Sequence, residues 1–479
     1  MSDWQSQVPE VLLQSMSTIP DAPEYWVAFS GGLDSSVLLF LAKAWLDAVQ
    51  LPERTDLSSV RPSIALKAIH VNHGLSKNAD QWQAHCEAIT ASLEIPLTVE
   101  KVLVQPEGSG LEAAARQARY EAFARHIPGG AVLLQAHHLN DLAETLLLRL
   151  MRGAGAAGMA GIPRQRTIVV AQNASLSPAR EYHLYRPLLD ITRQQLEQAA
   201  TCIGLDWVHD ESNDSHTFSR NYLRHNVMPL LLQRWPSALE SLAQVAENSA
   251  ESEMLCRTLA ESDLVNVGEG STLNLSKLVM LPQIQQRNLV RYWLQKQGAG
   301  FPGRHQFERI WSELIAARED ASPVISWAGG ELRRYRNQLY AILPATDNID
   351  AGGPLLPGVP RLTAIGTLTL LKCGKANMAD KPRTFVRVAL HDTTSPQRLS
   401  ADAFSIRFRQ GGEKITLKNR GTKTLKKLFQ EAAVPEWLRQ QYPLIYSGDA
   451  LVAIPGIGVA ADFLPEPEDD SNQWVITVA

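Results

Sequence analysis

An apolar run that breaks into glycines, hydroxyls and one acid is the part of this sequence most able to do chemistry. Residues 26–36 read Trp-Val-Ala-Phe-Ser-Gly-Gly-Leu-Asp-Ser-Ser, and a helical pattern follows. Gly31 and Gly32 lack Cβ atoms, so the backbone can turn sharply and bring its N–H groups against an anion. The hydroxyls of Ser30 and Ser35 and the positive end of the following helix add to the same place. The sequence therefore predicts a phosphate-binding loop between a strand and a helix.

Asp34 is the unusual member of this loop, because a carboxylate repels a phosphate unless a divalent cation lies between them. It is therefore predicted to be a Mg²⁺ ligand. The loop lacks the lysine of Gly-x-x-x-x-Gly-Lys-Ser/Thr and is not Gly-x-Gly-x-x-Gly. The alternative is a Gly-Gly turn in which Asp34 or Ser35 caps a helix, but the flanking strand and long helix favour the phosphate loop. The residues expected to form this phosphate site are Ser30, Gly31, Gly32, Leu33, Asp34 and Ser35.

A second group of polar side chains follows a later apolar run. His138 stands just before a predicted helix that carries Asp141 and Glu144. Because the acids are three residues apart, both lie on one face near the helix N-terminus. They could bind a metal, hold an ammonium group or complement the helix dipole. His138 could contact phosphate or transfer a proton, although histidines satisfied by backbone groups are common.

Two pairs of arginines stand at helical spacing elsewhere in this half of the chain. Arg116 and Arg119 share a predicted helix face beside a tyrosine, which suits a phosphate or a nucleotide base and equally an ordinary surface ion pair. Arg220 and Arg224 stand one helical turn apart. They could clamp a nucleic-acid backbone, although such pairs are more often a solvated helix face.

The elements that must position these residues alternate along the chain. Apolar runs at residues 26–29, 64–71, 97–104 and 132–136 predict strands, and the patterns at 37–49, 79–93 and 111–126 predict helices. Strands separated by helices imply a parallel sheet with right-handed crossovers. Ligands of such sheets bind beyond the carboxyl ends of the strands. The expected fold class is α/β, with a Rossmann-like parallel sheet in the N-terminal domain.

The rest of the chain divides into two further regions. Residues 228–343 show helical spacing of apolar side chains and predict a small helical domain. A Gly/Pro-rich segment at residues 350–360 resembles a linker, and strand-like runs around a helical segment at 424–433 predict a small α+β domain. The predicted domains are residues 1–226, 227–344 and 345–479.

Basic side chains cluster in the last predicted domain. Between residues 407 and 427, Glu413 is the only acidic residue. The basic residues in this range are Arg407, Arg409, Lys414, Lys418, Arg420, Lys423, Lys426 and Lys427. Such a patch can track the phosphates of a nucleic acid, and the alternative is a solvated strand–helix face. Further arginines that could extend it are Arg287, Arg291, Arg333, Arg334 and Arg336.

Composition sets the outer limits of these interpretations. A chain of 479 residues is too long for one core, and a net charge of -4 gives no overall sign of nucleic-acid binding. The four cysteines form no C-x-x-C pair, which argues against a disulfide framework, structural zinc or a cysteine-ligated cluster. No signal-like or membrane-spanning stretch stands out. We expect a cytoplasmic protein with no membrane association, and the sequence gives no sign of an obligate protein partner.

These residues in this order resemble the tRNA(Ile)-lysidine synthetases, a branch of the PP-loop ATP pyrophosphatase family. The matching segments are residues 30–35, 70–76 with Ala79, Asp80 and Trp82, 115–120, 136–145, 152–155 with Gly158, 186–189, 210–213 and 220–221. The second half resembles the longer members, with a helical middle domain and a basic terminal domain. The sequence departs from the family at Asn140, where a second acid usually precedes the counterpart of Asp141, and at Leu142, where glutamine is usual. Asp141 is therefore the better candidate for a charged role.

The resemblance implies an enzyme that uses ATP and Mg²⁺ to adenylate the C2 oxygen of the wobble cytidine in tRNA(Ile) with a CAU anticodon. L-Lysine then displaces AMP through its ε-amino group and forms lysidine. The residues expected to be catalytic are Asp34, His138, Asp141 and Glu144, with Asp34 as the metal ligand. The residues expected to bind substrate are Arg116, Arg119, Asp141, Glu144, Arg220, Asn221 and Arg224.

Two other interpretations compete with this one. The first is another PP-loop enzyme, such as a tRNA thiolase or an amidotransferase-type synthetase. Scattered cysteines that offer no sulfur carrier, cluster site or glutaminase nucleophile argue against it. The second is a tRNA-binding protein whose nucleotide loop is inactive, and the presence of Asp34, Asp141 and Glu144 argues against that.

Overall fold

The computed structural model describes residues 10–50, 64–104, 111–170, 180–209, 211, 219–269, 271–318, 321, 323–344, 352–356, 361–363, 366–372, 384–389, 404–418, 420–464 and 473–478. The chain divides into two compact units, Met1–Cys256 and Arg257–Ala479. Within the described ranges, every helix is too short or too polar to cross a lipid bilayer.

The first unit is an α/β fold. Its strands are β1 (Glu24–Ala28), β2 (Ala65–Asn72), β3 (Leu97–Lys101), β4 (Val132–Leu134), β5 (Gln165–Val170) and β6 (Arg180–Tyr185). Its helices are α1 (Glu10–Met16), α2 (Leu33–Gln50), α3 (Ala79–Ser92), α4 (Leu111–His126), α5 (Leu139–Met151), α6 (Ala156–Met159), α7 (Arg193–Ile203), α8 (Ser219–Tyr222), α9 (Met228–Arg234) and α10 (Ala238–Val267). A π-helical turn, Leu223–Val227, joins α8 to α9, and α10 continues past Cys256.

The strands of this unit form one sheet in the order β3-β2-β1-β4-β6-β5. All neighbours pair in parallel except β5 and β6, which are antiparallel. The predicted fold class is confirmed, since the four predicted strands and three predicted helices are all present. The sheet also gains β5 and β6, which the sequence patterns did not predict.

Burial explains why these segments form a central strand and covering helices. Tyr25, Trp26 and Val27 of β1 are all buried, as expected for a parallel strand covered on both faces. Leu38 of α2 and Leu196 of α7 belong to one core, in which α7 packs against α2. Because fully burying a leucine side chain contributes about 1.5–3 kcal/mol, this packing also fixes the loop that precedes each helix.

Three of these loops meet at one edge of the sheet. Strands β1, β4 and β6 are adjacent and parallel, so their carboxyl ends lie side by side. The chain leaves these ends to form α2, α5 and α7, and the N-termini of three helices therefore lie at the same edge. This is the edge at which parallel α/β sheets bind their ligands.

The second unit begins with helices on an antiparallel sheet. Its strands are β7 (Gly268–Glu269), β8 (Thr272–Asn274), β9 (Val324–Trp327), β10 (Gly330–Tyr335) and β11 (Gln338–Ile342), in the order β7-β8-β11-β10-β9. Its helices are α11 (Leu275–Met280), α12 (Gln283–Lys296) and α13 (Arg304–Arg309), followed by a π-helical turn, Ile310–Ile315. The predicted helices are present, and the region also contains this sheet, which the prediction of a small helical domain did not include. Trp293, Phe307 and Leu332 share its buried core.

The last part of the chain is α+β, as predicted. Its strands are β12 (Gly353–Pro354), β13 (Arg361–Thr363), β14 (Gly366–Lys372), β15 (Thr384–Ala389), β16 (Phe404–Arg407), β17 (Lys414–Leu417), β18 (Gly421–Thr424), β19 (Leu444–Ser447), β20 (Ala450–Ile454), β21 (Gly458–Val459) and β22 (Gln473–Val478). Two helices, α14 (Leu425–Glu431) and α15 (Glu436–Arg439), and a 3-10 turn, Ala461–Phe463, complete it. Of the predicted linker, residues 350, 351 and 357–360 lie outside the described residues.

Candidate active site

The glycine loop after β1 has the geometry that the sequence predicts for a close approach of backbone to a ligand. Gly31 has a φ of +82°, and a Cβ there would lie 2.9 Å from Cys86 Sγ. Only glycine fits such a position without strain. The Gly31 carbonyl accepts a hydrogen bond from the Val208 N–H at 2.9 Å, which ties the loop to the segment after α7.

The two predicted hydroxyl donors of the loop have different surroundings. The buried Ser35 hydroxyl donates to the Gly32 carbonyl at 3.0 Å, and the Ser30 N–H donates to Ser35 Oγ at 3.3 Å. The Ser30 and Ser35 hydroxyls are 3.1 Å apart. Ser35 therefore braces the loop from inside, whereas Ser30 is exposed at its surface. Leu33 is buried at the first position of α2.

His138 connects the loop to the acids of α5. Its Nε2 lies 3.7 Å from Asp34 Oδ2 and 3.5 Å from Asp141 Oδ2. The side chain is 1% exposed, and neither ring nitrogen has a hydrogen-bond partner among the described residues. The structure thus brings together three of the four predicted catalytic residues, although Asp34 lies more than a hundred positions from the other two in the chain.

Glu144 holds two arginines from the α8 region. Arg220 Nε donates to Glu144 Oε2 at 2.9 Å. Arg224 donates to both carboxylate oxygens, through Nε at 2.7 Å and Nη2 at 3.0 Å. Glu144 is 1% exposed, so two guanidinium groups compensate a buried charge that would otherwise be costly. These contacts raise the pKa of Arg224 against the effect of its own burial.

Asp141 lies between the histidine and the two arginines. Its Oδ1 is 3.5 Å from Arg220 Nη2 and 3.4 Å from Arg224 Nη2, and its Oδ2 accepts the His138 N–H at 3.2 Å. Burial opposes ionisation of Asp141, but the charges of His138 and Arg220 outweigh it and lower the pKa of the carboxyl. The side chain is therefore a carboxylate at neutral pH.

Asn140, the departure from the family pattern, faces another element. Its Oδ1 accepts a hydrogen bond from the Arg193 N–H at 3.0 Å, which is the first residue of α7. An aspartate at this position has the same acceptor oxygen, so the amide keeps the contact that joins α5 to α7. The loss of a second charge next to Asp141 leaves this bond intact.

Asp34 can supply one carboxylate ligand of a cation site. Its Oδ1 is buried and lacks a hydrogen-bond partner among the described residues. Burial raises its pKa, the charge of His138 lowers it, and Asp141 raises it again. The described residues contain no group of three or more His, Cys, Asp or Glu side chains that could hold a metal by themselves. Asp34 therefore suits Mg²⁺, which is commonly bound by one or two carboxylates together with substrate phosphates and waters.

The remaining predicted substrate-binding residues lie around this cluster. Arg116 donates to the Tyr120 hydroxyl at 3.4 Å and stacks over its ring. Arg119 is exposed on the same helix, near His73, and Asn221 is buried in α8. Neither Arg116 nor Arg119 contacts the acids within the described structure. In the polar segment matched to the family, residues 210, 212 and 213 lie outside the described residues.

Sequence patterns missed a network of polar side chains around the buried Arg186, next to the cluster. Arg186 donates to His137 Nδ1 at 3.2 Å, to Gln135 Oε1 at 3.2 Å and to the Pro163 carbonyl at 2.6 Å. Burial lowers the pKa of His137, so its imidazole is neutral near pH 7. The Arg-Pro-Leu-Leu segment at residues 186–189 matched the family but gave no chemical role. An arginine within an otherwise apolar segment is the sequence signal that could have indicated this network.

Two of the arginines predicted to extend the basic patch instead make contacts within the second unit. Arg334 is buried and donates to the carbonyls of Leu314, Ile315 and Ala317. Arg287 pairs with Glu308 and lies over the Trp311 ring, with 4.7 Å from Cζ to the ring centroid. Their charges are compensated or sequestered within the fold.

Three protein-family models match successive parts of the chain. A PP-loop domain model matches residues 4–231, a TilS substrate binding domain model matches residues 273–340, and a TilS substrate C-terminal domain model matches residues 404–476. Among solved structures, a U34-tRNA thiolase from Methanococcus maripaludis aligns with a TM-score of 0.40 and 14% identity, over 52% of this chain and 80% of that chain.

Two curated relatives match nearly end to end. A tRNA(Ile)-lysidine synthase from Shigella flexneri is 38% identical over 458 residues, which cover 95% of this chain and 96% of that protein. A tRNA(Ile)-lysidine synthase from Alkalilimnicola ehrlichii is 37% identical over 470 residues, which cover 96% of this chain and 95% of that protein. With this identity over almost the full length, the chain belongs to the tRNA(Ile)-lysidine synthase family.

Proposed function

We propose that this chain converts the wobble cytidine of tRNA(Ile) with a CAU anticodon into lysidine, with ATP and L-lysine as co-substrates. The observation that carries the proposal is the meeting of Asp34, His138 and Asp141 at the end of the glycine loop, in a chain of this family. The reaction is a ligation that forms a carbon–nitrogen bond and releases AMP and pyrophosphate. We expect it to take place in the cytoplasm, where tRNA, ATP and lysine are all available.

The first step turns a poor leaving group into a good one. The C2 oxygen of cytidine attacks the α-phosphorus of ATP, a P–O bond forms, and the bond to pyrophosphate breaks. Negative charge grows on the departing pyrophosphate, where the glycine-loop N–H groups and the positive end of α2 stabilise it. Mg²⁺ held through Asp34 supplies additional charge neutralisation on the phosphates when it is bound.

The second step joins lysine to the activated base. The neutral ε-amine attacks C2, the C–O bond to AMP breaks, and the nitrogen loses a proton. Before attack the amino acid is cationic, and an acidic crevice attracts it. The carboxylates of Asp34, Asp141 and Glu144 outnumber the two guanidinium groups, those of Arg220 and Arg224, that contact Asp141 and Glu144. We assign the orientation of lysine to Asp141 and Glu144, and that of the tRNA to the two arginines.

The basic residues of the last domain support binding of tRNA phosphates. Lys414, Lys418, Lys426 and Lys427 are exposed on β17, the following turn and α14. These four have no ion-pair partner within the described residues, whereas Lys423 is paired with Glu431 at 2.7 Å. Uncompensated lysines can neutralise phosphates and release counterions, which gives binding that weakens with salt.

One incubation tests the proposal. Purified protein, ATP, Mg²⁺, L-lysine and unmodified tRNA(Ile) transcript are combined, and the digested nucleosides are analysed by mass spectrometry. We expect a lysyl adduct on cytidine with the unaltered chain and none with Asp34→Ala, which should still bind tRNA nearly normally. In a parallel incubation that contains a sulfide donor in place of lysine, a sulfur-containing nucleoside would select the thiolase interpretation. The absence of any product from a folded, tRNA-binding protein would select the inactive tRNA-binding protein.

A further inference from the structure

The start of α7 is hydrogen-bonded to the helix that carries the acids of the candidate active site. The Leu139 N–H donates to the Ile191 carbonyl at 2.9 Å, and Asn140 Oδ1 accepts the Arg193 N–H at 3.0 Å. These bonds join the segment before α7 and the first residue of α7 to the first turn of α5. That turn places His138 within 3.7 Å of Asp34, so the start of α7 lies at the same crevice as the glycine loop.

Arg193 brings a positive charge to this position. Its side chain is 40% exposed, and its Nε contacts Glu197 Oε1 at 3.0 Å, one turn along the same helix. Exposed pairs at this spacing are weak and exchange readily for a better partner. The Arg193 guanidinium therefore stands at the start of α7 with a partner that it can exchange for an anionic ligand.

The crevice between these elements contains unpartnered polar groups. His138 is 1% exposed, and its two ring nitrogens lack hydrogen-bond partners among the described residues. Asp34 Oδ1 is likewise buried and unpartnered there. Since buried polar groups are nearly always hydrogen-bonded in a finished site, these atoms indicate that a polar ligand completes the crevice.

We propose that the Arg193 guanidinium, backed by the positive end of α7, binds the pyrophosphate part of ATP across the crevice from the glycine loop. This assignment rests on the proposed function. The N–H groups of Arg193 and Gln195 already have partners, Asn140 Oδ1 and Thr192 Oγ1. The helix therefore contributes its positive field, and the side chain contributes the hydrogen bonds.

The neutral side chain at position 140 favours this role. An aspartate there would place a negative charge directly on the N-terminus of α7 and partly cancel its field. Asn140 makes the same hydrogen bond without that charge. In this chain the positive end of α7 and Arg193 therefore remain available to an anionic ligand.

The test measures binding of Mg²⁺-pyrophosphate by calorimetry, and its inhibition of cytidine adenylation, for Arg193→Ala and Arg193→Lys. Loss of one charge-assisted contact predicts a Kd for pyrophosphate about tenfold higher for Arg193→Ala. Arg193→Lys should recover part of the loss, and the KM for lysine should not change. Arg125→Ala is the matched control, because Arg125 is also an exposed arginine in an ion pair, with Glu100, at the end of α4 that leads into β4.

The possible results separate this assignment from the proposed function. Suppose that the unaltered chain forms lysidine and that Arg193→Ala binds pyrophosphate with the same Kd as the unaltered chain. The assignment to Arg193 is then wrong, while the proposed function stands. A selective loss of tRNA affinity in Arg193→Ala would also overturn it. If the unaltered chain binds neither ATP nor pyrophosphate, both proposals fail. Melting curves of both Arg193 variants must match the unaltered chain, and Arg193→Lys serves as the charged variant if Arg193→Ala does not fold.

Discussion

Glu144→Gln tests two roles of one buried carboxylate, the binding of lysine and the pairing with two arginines that stabilises the fold. The sequence pattern alone predicts that this change abolishes the use of lysine and leaves the fold intact. The structure adds that Glu144 accepts three hydrogen bonds from Arg220 and Arg224. Glutamine keeps the shape but loses the charge, and one of its two terminal groups donates and does not accept. We therefore expect the variant to lose stability as well as lysine use.

The magnitude follows from how deeply the pairs are buried. Breaking a fully buried ion pair costs about 3–5 kcal/mol, whereas an exposed pair contributes about 0–1 kcal/mol. Here the carboxylate is 1% exposed, but the side chains of Arg220 and Arg224 are 30% and 22% exposed. Solvent screening at the arginines places Glu144→Gln between these limits, at about 2 kcal/mol of lost unfolding free energy. For a unit of this size that corresponds to about 4–8 °C in Tm.

A double-mutant cycle in urea measures this directly. Arg224→Gln removes one of the two cations, so the double variant leaves fewer uncompensated charges than Glu144→Gln alone. We expect a coupling energy of about 1–2 kcal/mol between the two positions, while lysine use stays impaired in the double variant. A Glu144→Gln protein that unfolds at the urea concentration of the unaltered chain, with no coupling to Arg224→Gln, would refute the pairing. Normal lysine dependence in a folded Glu144→Gln protein would refute the binding role.

Three further predictions rest on other contacts. Asn140→Ala should lower the unfolding free energy by about 1 kcal/mol, because the α7 N-terminus loses an acceptor, whereas Asn140→Asp should match the unaltered chain in urea unfolding. Burial and the charge of Arg119 lower the pKa of His73 from 6.5 to about 4, so the unfolded state binds more protons between these values. Stability should fall as pH drops from about 6.5 to 4, and His73→Gln should flatten that slope in urea midpoints. Lys426→Ala with Lys427→Ala should weaken tRNA binding and reduce the slope of log K against log salt by about 0.7–0.9 per lysine that contacts a phosphate; Lys43→Ala, which removes a lysine paired with Asp47, should leave the slope unchanged.

The sequence predicts those parts of the site that depend on local spacing. Gly31 needs a positive φ because of its position between a strand and a helix, and the spacing of Asp141 and Glu144 follows from helical geometry alone. The placement of both groups at one sheet edge follows from the strand–helix alternation. These features need only residues that are close in sequence or a rule of parallel sheets.

The partners of the acids could not be predicted in the same way. Arg220 and Arg224 stand 76 and 80 residues beyond Glu144, and their spacing on a helix is equally typical of a solvated surface. Asn140 bonds to a residue 53 positions away. The sheet of the second unit was missed because its strands are two to six residues long, too short for alternation to stand out beside helices.

The same long-range contacts explain how an acidic crevice can bind an anionic nucleotide. Asp34 and Asp141 alone would repel a triphosphate, and burial would strengthen that repulsion. The fold offsets it by starting α2, α5 and α7 at one sheet edge and by bringing in Arg220 and Arg224. The carboxylates still outnumber these two guanidinium groups, which suits a divalent cation during adenylation and the lysine ammonium afterwards. In the proposed reaction adenylation precedes attack by the amine, so the two substrates can use the same acids in succession.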